Sequence, residues 1–373
     1  MTQFSTNRTG PGTFVRYLKR AAEEEKLNIF FIADEKPSND FSGKVYVFSW
    51  HEKLRKTVRG SWFFALWAYA LQASRVSYPD AESTWIIDPV FGYFFLKFKK
   101  FRNKSVLMIN DVNNIDWRRR WRDGEISFVK ALSFGICSRL ERSAVKKADL
   151  VVANSEYTKE KIINRYLLDE AGVEVLYKAV DLSMFDLPHA SVSDDRFVIL
   201  FVKADWRRGG LIELIRAAES WGRKSEIWFV GGDRNSVSEI DKIVRLSRLR
   251  NVVLKFLGHK PHEAMPELYS RANVVALLST SEALGVSLIE ALAARVPAIG
   301  ASVGGIPEVL ANGSAGFLID RSDQNAIVGA LEKIFTSDPI VASQVEYGRS
   351  HAAKFSSGAM FQRIIDISVS FSE

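Results

Sequence analysis

Cysteine is almost absent from this chain: its 373 residues include one, Cys137. A single thiol excludes an internal disulfide and suits a reducing cytoplasm. It lies in the apolar run Phe134-Gly135-Ile136-Cys137, so a buried structural thiol is expected there rather than a nucleophile. Histidines are few as well, five in all and scattered. No Cys/His/Asp cluster has the spacing of metal ligands, so no metal is expected. Long hydrophobic runs are also missing. The most apolar stretch, Trp62 to Leu71, is too short to span a bilayer and reads as a core helix. The opening residues MTQFSTNRTGPG have no apolar core, so they do not read as a signal peptide. Sequence repeats and low-complexity tracts are lacking too.

What is present is ordinary for a globular protein: 47% hydrophobic and 25% charged residues, in a chain long enough for two separate cores. The net charge of +7 allows nucleic acid, anionic lipid or a phosphorylated substrate as partner. No recognised nucleic-acid-binding module appears, so that partner is not expected. Two segments interleave cations with aromatics, Phe91 to Lys104 and Trp117-Arg118-Arg119-Arg120-Trp121-Arg122. Such segments can make peripheral contact with an anionic membrane. They can equally be helix ends with packed stems and solvated heads.

Along the chain, the turn Thr9-Gly10-Pro11-Gly12 precedes an amphipathic helix to Glu25, with strands at Leu27–Ala33 and Val45–Phe48. Helices are expected over Glu52–Ala73 and Val90–Lys99, with a short strand at Trp85–Ile87 between them. Val106–Ile109 reads as a buried strand ending in Asn110-Asp111. A long helix from about Ser127 to Lys147 leads to the strand Leu150–Ala153, and Ser155 is placed to cap the next helix. The second half alternates more clearly. Strands are expected at Phe197–Val202, Ile227–Val230, Val252–Phe256, Val274–Leu278, Ala298–Gly300 and Phe317–Ile319, and helices fill the gaps. Alternation of this kind means an α/β fold with parallel sheets and right-handed crossovers. The polar stretch Asp181–Arg196 marks the domain boundary.

The most informative segment is Ser279 to Leu318. Glu282 and Glu290 stand eight residues apart across a loop-to-helix junction, and Gly304-Gly305-Ile306-Pro307-Glu308 follows. A strand precedes the loop, which puts it where open α/β sheets bind ligands. The amides near Gly285, Val286 and Ser287 are the unpaired donors of a helix start and suit a diphosphate. Gly285 lets backbone approach that anion. Glu282 can then reach past the phosphates, and Glu290, one turn into the helix, can accept two hydroxyl bonds from a ribose. By itself this spacing favours two solvated acids on a helix surface.

The surrounding residues Ser279, Glu282, Gly285, Glu290, Ala291, Pro297, Gly304, Gly305, Glu308, Gly313 and Gly316 change that balance. In order and spacing they resemble the retaining glycosyltransferases of family 4, which carry two Rossmann-like domains in the GT-B arrangement. The resemblance implies contacts from Glu282 to a donor sugar and from Glu290 to a donor ribose. Two departures are visible. Arg295 occupies a position where the family usually has Gly; if it is left-handed there, the cost is about 1 kcal/mol or more. Leu284 replaces a loop aromatic. The resemblance also covers Tyr177 to Phe185 as interdomain segment, with Ala179 where Gly is usual, and the last helix, near Met360–Ser370, as one that crosses back. The start departs most, and its first strand is expected to be short, irregular or missing.

These readings divide the chain into residues 1–185, with a C-terminal helix 359–373 crossing back, and residues 186–358. The first domain would bind the acceptor and the second the nucleotide sugar, across a cleft between facing parallel sheets. The segment Lys203-Ala204-Asp205-Trp206-Arg207-Arg208-Gly209-Gly210 resembles the family's phosphate clamp, one residue shorter and with Arg in the usual Lys place. Arg208 is the expected clamp, with Arg207 or Lys203 second. Gly10 and Gly12 resemble a glycine loop near donor phosphate or acceptor, although Gly-Pro-Gly makes any tight turn. Asn110-Asp111 resembles the family's His-Asp pair. With Asn in the His place, hydrogen bonding to a sugar hydroxyl stays open, and Asp111 can act as a base or as an N-cap.

The activity implied is transfer of a sugar, with retention, from a UDP- or GDP-linked donor to a hydroxyl of a glycan, polysaccharide or lipid-linked acceptor. Neither cofactor nor metal is implied. The expected location is the cytoplasm, peripheral at the inner face of a membrane. A non-catalytic GT-B partner subunit and a sugar-nucleotide epimerase are the rival readings.

Overall fold

The protein is described here from a computed structural model covering residues 31–33, 45–47, 70–71, 83–98, 104–111, 115–124, 126–188, 196–232, 234–247 and 249–370. Gly10, Gly12, the helix expected over 12–25 and residues 27–30 and 52–69 lie outside the described residues. The chain divides into two compact units, residues 1–178 with 357–373, and residues 179–356.

In the first unit, β1 (Phe31–Ala33) and β2 (Val45–Val47) pair in parallel. A four-stranded parallel sheet has the order β3-β4-β5-β6, formed by Ser83–Ile86, Lys104–Ile109, Leu150–Ala153 and Val173–Val175. Strand β4 is buried from Ser105 onward, which explains its unbroken apolar run. Helix α1 (Pro89–Phe98) lies tight on this sheet, because Gly92 leaves room for Leu107 and Ile86 beneath it. Of the two readings of the basic and aromatic segment from Phe91, packing accounts for its described first part. Phe94 and Phe95 belong to the core, and Phe91 stacks on Phe95 at 5.6 Å.

Helix α2 (Trp117–Arg122) precedes the long α3 (Phe128–Val145), which Ser127 caps. Cys137 faces the core and burial pushes its thiol up, as a structural cysteine requires. Helix α4 (Glu156–Tyr166) starts with the expected cap, Ser155 Oγ accepting the Thr158 amide at 3.0 Å. Its last residue, Tyr166, donates its hydroxyl to Glu141 of α3 at 2.6 Å, a buried tie between the two helices.

The second unit holds a six-stranded parallel sheet of order β12-β11-β10-β7-β8-β9. Its strands are β7 (Phe197–Val202), β8 (Ser225–Val230), β9 (Val252–Gly258), β10 (Val274–Leu277), β11 (Ala298–Ala301) and β12 (Phe317–Ile319). The intervening helices are α5 (Trp206–Gly209), α6 (Leu211–Trp221), α7 (Arg234–Ser247), α8 (Met265–Ser270), α9 (Val286–Ala293), α10 (Ile306–Val309), α11 (Gln324–Phe335) and α12 (Pro339–His351). All six expected strands are present. Chain order runs outward from β7 through β8 to β9, then restarts on the other side of β7 at β10. The reversal places a switch point outside the carboxyl ends of β7 and β10.

The single-turn helix Leu182–Phe185 packs within this unit, its buried Phe185 edge-on to Tyr269 at 5.4 Å. That packing is why the division falls between Lys178 and Ala179 rather than after Phe185. The final helix, α13 (Ser357–Val369), groups with the first unit, where Arg363 pairs with Glu174 of β6. Among the described residues no helix is long and apolar enough to cross a membrane.

Candidate functional site

Two loops meet at the switch point of the second unit. Lys203 follows β7, and Ser279 to Leu284 follow β10. They are fastened backbone to backbone, the Thr280 amide donating to the Arg208 carbonyl at 2.9 Å. Gly210 permits this approach: it has φ +81°, and a side chain there would run into the Leu278 carbonyl. On the other side, the Gly304-Gly305 turn after β11 lies directly on the β10 loop. The Gly305 amide donates to the Glu282 carbonyl at 3.1 Å. A side chain at Gly304, where φ is +63°, would strike that same carbonyl. The glycines are thus required by contact between three strand-end loops.

The result is a fixed carboxylate. Glu282 accepts from the Lys203 ammonium and from Ser279 Oγ, the latter at 3.2 Å. Both members of the ion pair are mostly but not wholly covered, so the pair is held without being sealed. Arg208 joins the same loop by donating its Nε–H to the Ser281 carbonyl at 2.9 Å. Asp205 caps the short helix that carries it, accepting the Arg208 amide at 3.1 Å. Lys203, Arg208 and Glu282 are therefore brought together. Arg207 is not: it lies over the Trp206 ring at 4.3 Å and pairs with Glu239 of α7 at 2.9 Å.

Below the loop, Gly285 sits at φ +97° as the cap of α9, so the helix start with Val286 and Ser287 faces the strand ends. Leu284 is buried against this start. A helix start of this kind presents amide hydrogens and a partial positive charge, which suits an anion. Glu290 lies one turn further in and is 6% exposed. Its Oε2 accepts the Tyr269 hydroxyl at 2.6 Å, and His262 Nδ1 stands 3.8 Å from its Oε1. Burial raises Glu290 to about 7, with the Tyr269 bond opposing the rise, and burial also pushes the Tyr269 hydroxyl upward. Phe185 closes on both rings, at 5.4 Å from Tyr269 and 5.9 Å from His262.

Tyr269 and His262 did not emerge from the sequence. Tyr269 reads there as one more apolar position before β10, and its partner lies 21 residues away. In the first unit, Asn110 and Asp111 do sit at the carboxyl end of β4. Asn110 donates to the Ile87 carbonyl at 3.3 Å, its own carbonyl accepts from Asn154 at 2.8 Å, and Asp111 is exposed. Among the described residues no group of three or more His, Cys, Asp or Glu could hold a metal ion.

Arg295 has φ +55°, the left-handed conformation that the usual Gly would take without strain. Its guanidinium pairs with Asp186 at 2.6 Å, and Arg349 reaches the same carboxylate at 3.2 Å. The side chain thus ties the segment after Phe185 to the body of the unit.

The comparisons with known proteins agree with this layout. A relative from Corynebacterium kroppenstedtii, a D-inositol 3-phosphate glycosyltransferase, is 26% identical over 246 residues. That match takes in 61% of this chain and 54% of the relative, so the chain spans about half the length of the curated relative it matches. Among solved structures, sucrose-phosphate synthase from Thermosynechococcus elongatus superposes with a TM-score of 0.76 at 20% identity, covering 96% of this chain and 92% of that one. Anabaena Alr3699/HepE in complex with UDP-glucose superposes with a TM-score of 0.72 at 17% identity, covering 98% of each chain. The fold is accordingly GT-B. Residues 186–351 match the family described as Glycosyl transferases group 1.

Proposed function

We propose that the protein is a glycosyltransferase that moves a sugar from a UDP- or GDP-linked donor to a hydroxyl of a glycan, polysaccharide or lipid-linked acceptor. The observation that carries this reading is the meeting of Lys203, Arg208 and Glu282 at the switch point, directly before the start of α9. Cleaving the bond between the anomeric carbon and the phosphate oxygen leaves negative charge on the diphosphate. Lys203, Arg208 and the amides near Gly285, Val286 and Ser287 are the groups that would stabilise it, so no metal is required. Glu282, held by Lys203 and Ser279, would orient the sugar. Glu290, held by Tyr269, would accept the ribose hydroxyls.

The acceptor oxygen forms the new bond to the anomeric carbon on the face the phosphate leaves, giving retention, and its proton departs with the phosphate or to a base. Asn110 and Asp111 of the first unit are assigned to the acceptor. A cytoplasmic enzyme working against the inner face of a membrane completes the reading. The UDP-glucose complex of the Anabaena neighbour supports a nucleotide sugar as donor.

The test begins with thermal shift against UDP, GDP and their sugar conjugates. A nucleotide at about 100 times its Kd should stabilise the protein by roughly 3 kcal/mol. Turnover of that conjugate is then compared in the native protein and in Glu282→Ala and Arg208→Ala. Folded variants that bind but no longer transfer are the expected result. Failure of every nucleotide to bind, or near-native turnover in both variants, would overturn the proposal. Donor isomerisation without an acceptor would reassign the protein to an epimerase.

A further inference from the structure

Among the described residues, Leu167, Arg295, Ala311, Asn312 and Ser337 hold a positive φ without being glycine. Arg295 is the only one of them that carries charge, and its strained backbone aims a guanidinium at Asp186. A glycine would take the same conformation without strain but could grip nothing. A side chain stays in so sparsely populated a conformation where its surroundings hold it, and such positions are places to look for function.

Asp186 is gripped from two sides. Arg295, two residues past the end of α9, donates Nη1–H to its Oδ1 at 2.6 Å, and Arg349 of α12 brings Nη2 within 3.2 Å of its Oδ2. Arg349 also donates Nη1–H at 2.7 Å to the carbonyl of Ala293, the last residue of α9. That carbonyl is one of those a helix end leaves without an internal partner. Helix α12 comes this close because Gly348 has no side chain; a Cβ there would lie 2.8 Å from Leu292. Asp186 is thereby fastened to the carboxyl end of α9. Its neighbour Phe185 is fully buried and meets Tyr269 and His262 edge-on. Tyr269 in turn donates to Glu290 in the middle of α9, and its hydroxyl stands 3.0 Å from the carbonyl of Ser287 in the first turn. The contacts close a ring, from the end of α9 through Asp186, Phe185 and Tyr269 back to Glu290.

We propose that Arg295 is a positioning residue for the ribose of a bound nucleotide: by clasping Asp186 together with Arg349, it keeps Phe185 seated against Tyr269 and so holds Glu290 aimed at the ribose hydroxyls. This role rests on the proposed nucleotide site and deepens it. A carboxylate receives two hydroxyls of a diol only when both its oxygens are aimed, and the Tyr269 hydroxyl fixes one of them. The Tyr269 ring is walled by Phe185, which is joined directly to Asp186, so releasing Asp186 loosens that wall. Arg295 and Asp186 are about half exposed, and such a pair adds little to stability. Its effect falls on aim, which a supporting shell of this kind sets for a binding group.

The experiment measures binding of UDP, GDP and their 2′-deoxy counterparts by titration calorimetry on the full chain. The native protein is compared with Arg295→Gly and Asp186→Asn, whose melting temperatures verify their fold. The native chain should prefer the ribonucleotide over its deoxy form by about tenfold, the size of one lost hydrogen bond to a charged group. Each variant should weaken the ribonucleotide by about fivefold and the deoxynucleotide by about twofold or less. Without nucleotide, both variants should lose hydrogen-exchange protection over residues 286–290. Equal weakening of ribo- and deoxynucleotide would overturn the proposal, because a merely structural clasp acts on both alike. Native affinity in both variants, or unaltered exchange, would overturn it too. Failure of the native chain itself to bind either nucleotide is a separate result, which removes the nucleotide site and the clasp's role together.

Discussion

The carboxyl ends of the two larger parallel sheets make an instructive pair. In the second unit, Lys203, Glu282 and Gly304 arrive from three different strands and interlock, through an ion pair, backbone hydrogen bonds and glycines that admit no side chain. In the first unit, the strand end at Asn110 is secured by two hydrogen bonds and Asp111 is left exposed. The matched family segment stops within the second unit. Binding a nucleoside diphosphate is one chemical problem with a rigid solution. Under the proposed function, selecting an acceptor has many solutions, and an exposed strand end can vary without dismantling its sheet.

That contrast can be broken most directly by removing the charges. Arg208→Ala should lower kcat by about 100- to 1000-fold, as loss of an oxyanion donor does, and Glu282→Ala should lower it by about 100-fold because the sugar it orients is no longer held. Asp111→Asn, by comparison, should leave nucleotide affinity unchanged while altering acceptor KM. Loss of nucleotide binding in Asp111→Asn would erase the division of labour. Next comes the interlock itself. Gly304→Ala should cost roughly 3 kcal/mol in denaturant unfolding, through both its positive φ and its collision with the Glu282 carbonyl.

A smaller effect tests Glu290. Its folded value of about 7 exceeds the ordinary 4.5, so the folded protein holds this proton more tightly than the unfolded chain. Stability from this group is therefore present at low pH and is lost as pH rises from about 4.5 to about 7. The loss should be at most roughly 3 kcal/mol, and Glu290→Gln should flatten that part of the stability profile measured by urea titration. The smallest change is expected at Arg295→Gly. Relief of the left-handed strain and loss of the pair with Asp186 oppose each other, leaving a net shift within about 1 kcal/mol by thermal melting.

Much of this was readable in the chain. The six strands of the second sheet declare themselves because each is a short buried run, apolar on both faces. Gly285 could be picked out because a loop-to-helix junction suits a glycine, whereas Glu282 and Gly304 stood out through the resemblance to family 4 and not through spacing alone. Ser155 showed itself as a cap by the local rule that a hydroxyl meets an amide three residues on. An exposed apolar stripe on α3 was hidden, since Phe128, Val129, Leu132 and Ile136 look identical in sequence to a core-facing face.

Local sequence by itself determined where strands, caps and tight turns fall, because those depend on the backbone and side chains of near neighbours. Tertiary structure alone decided which cation reaches Glu282, that Tyr269 holds Glu290, that Arg207 turns away to Glu239, and which apolar face of α3 is left in water. These depend on strand order and on packing between residues far apart in the chain, and no periodicity in a linear pattern records either.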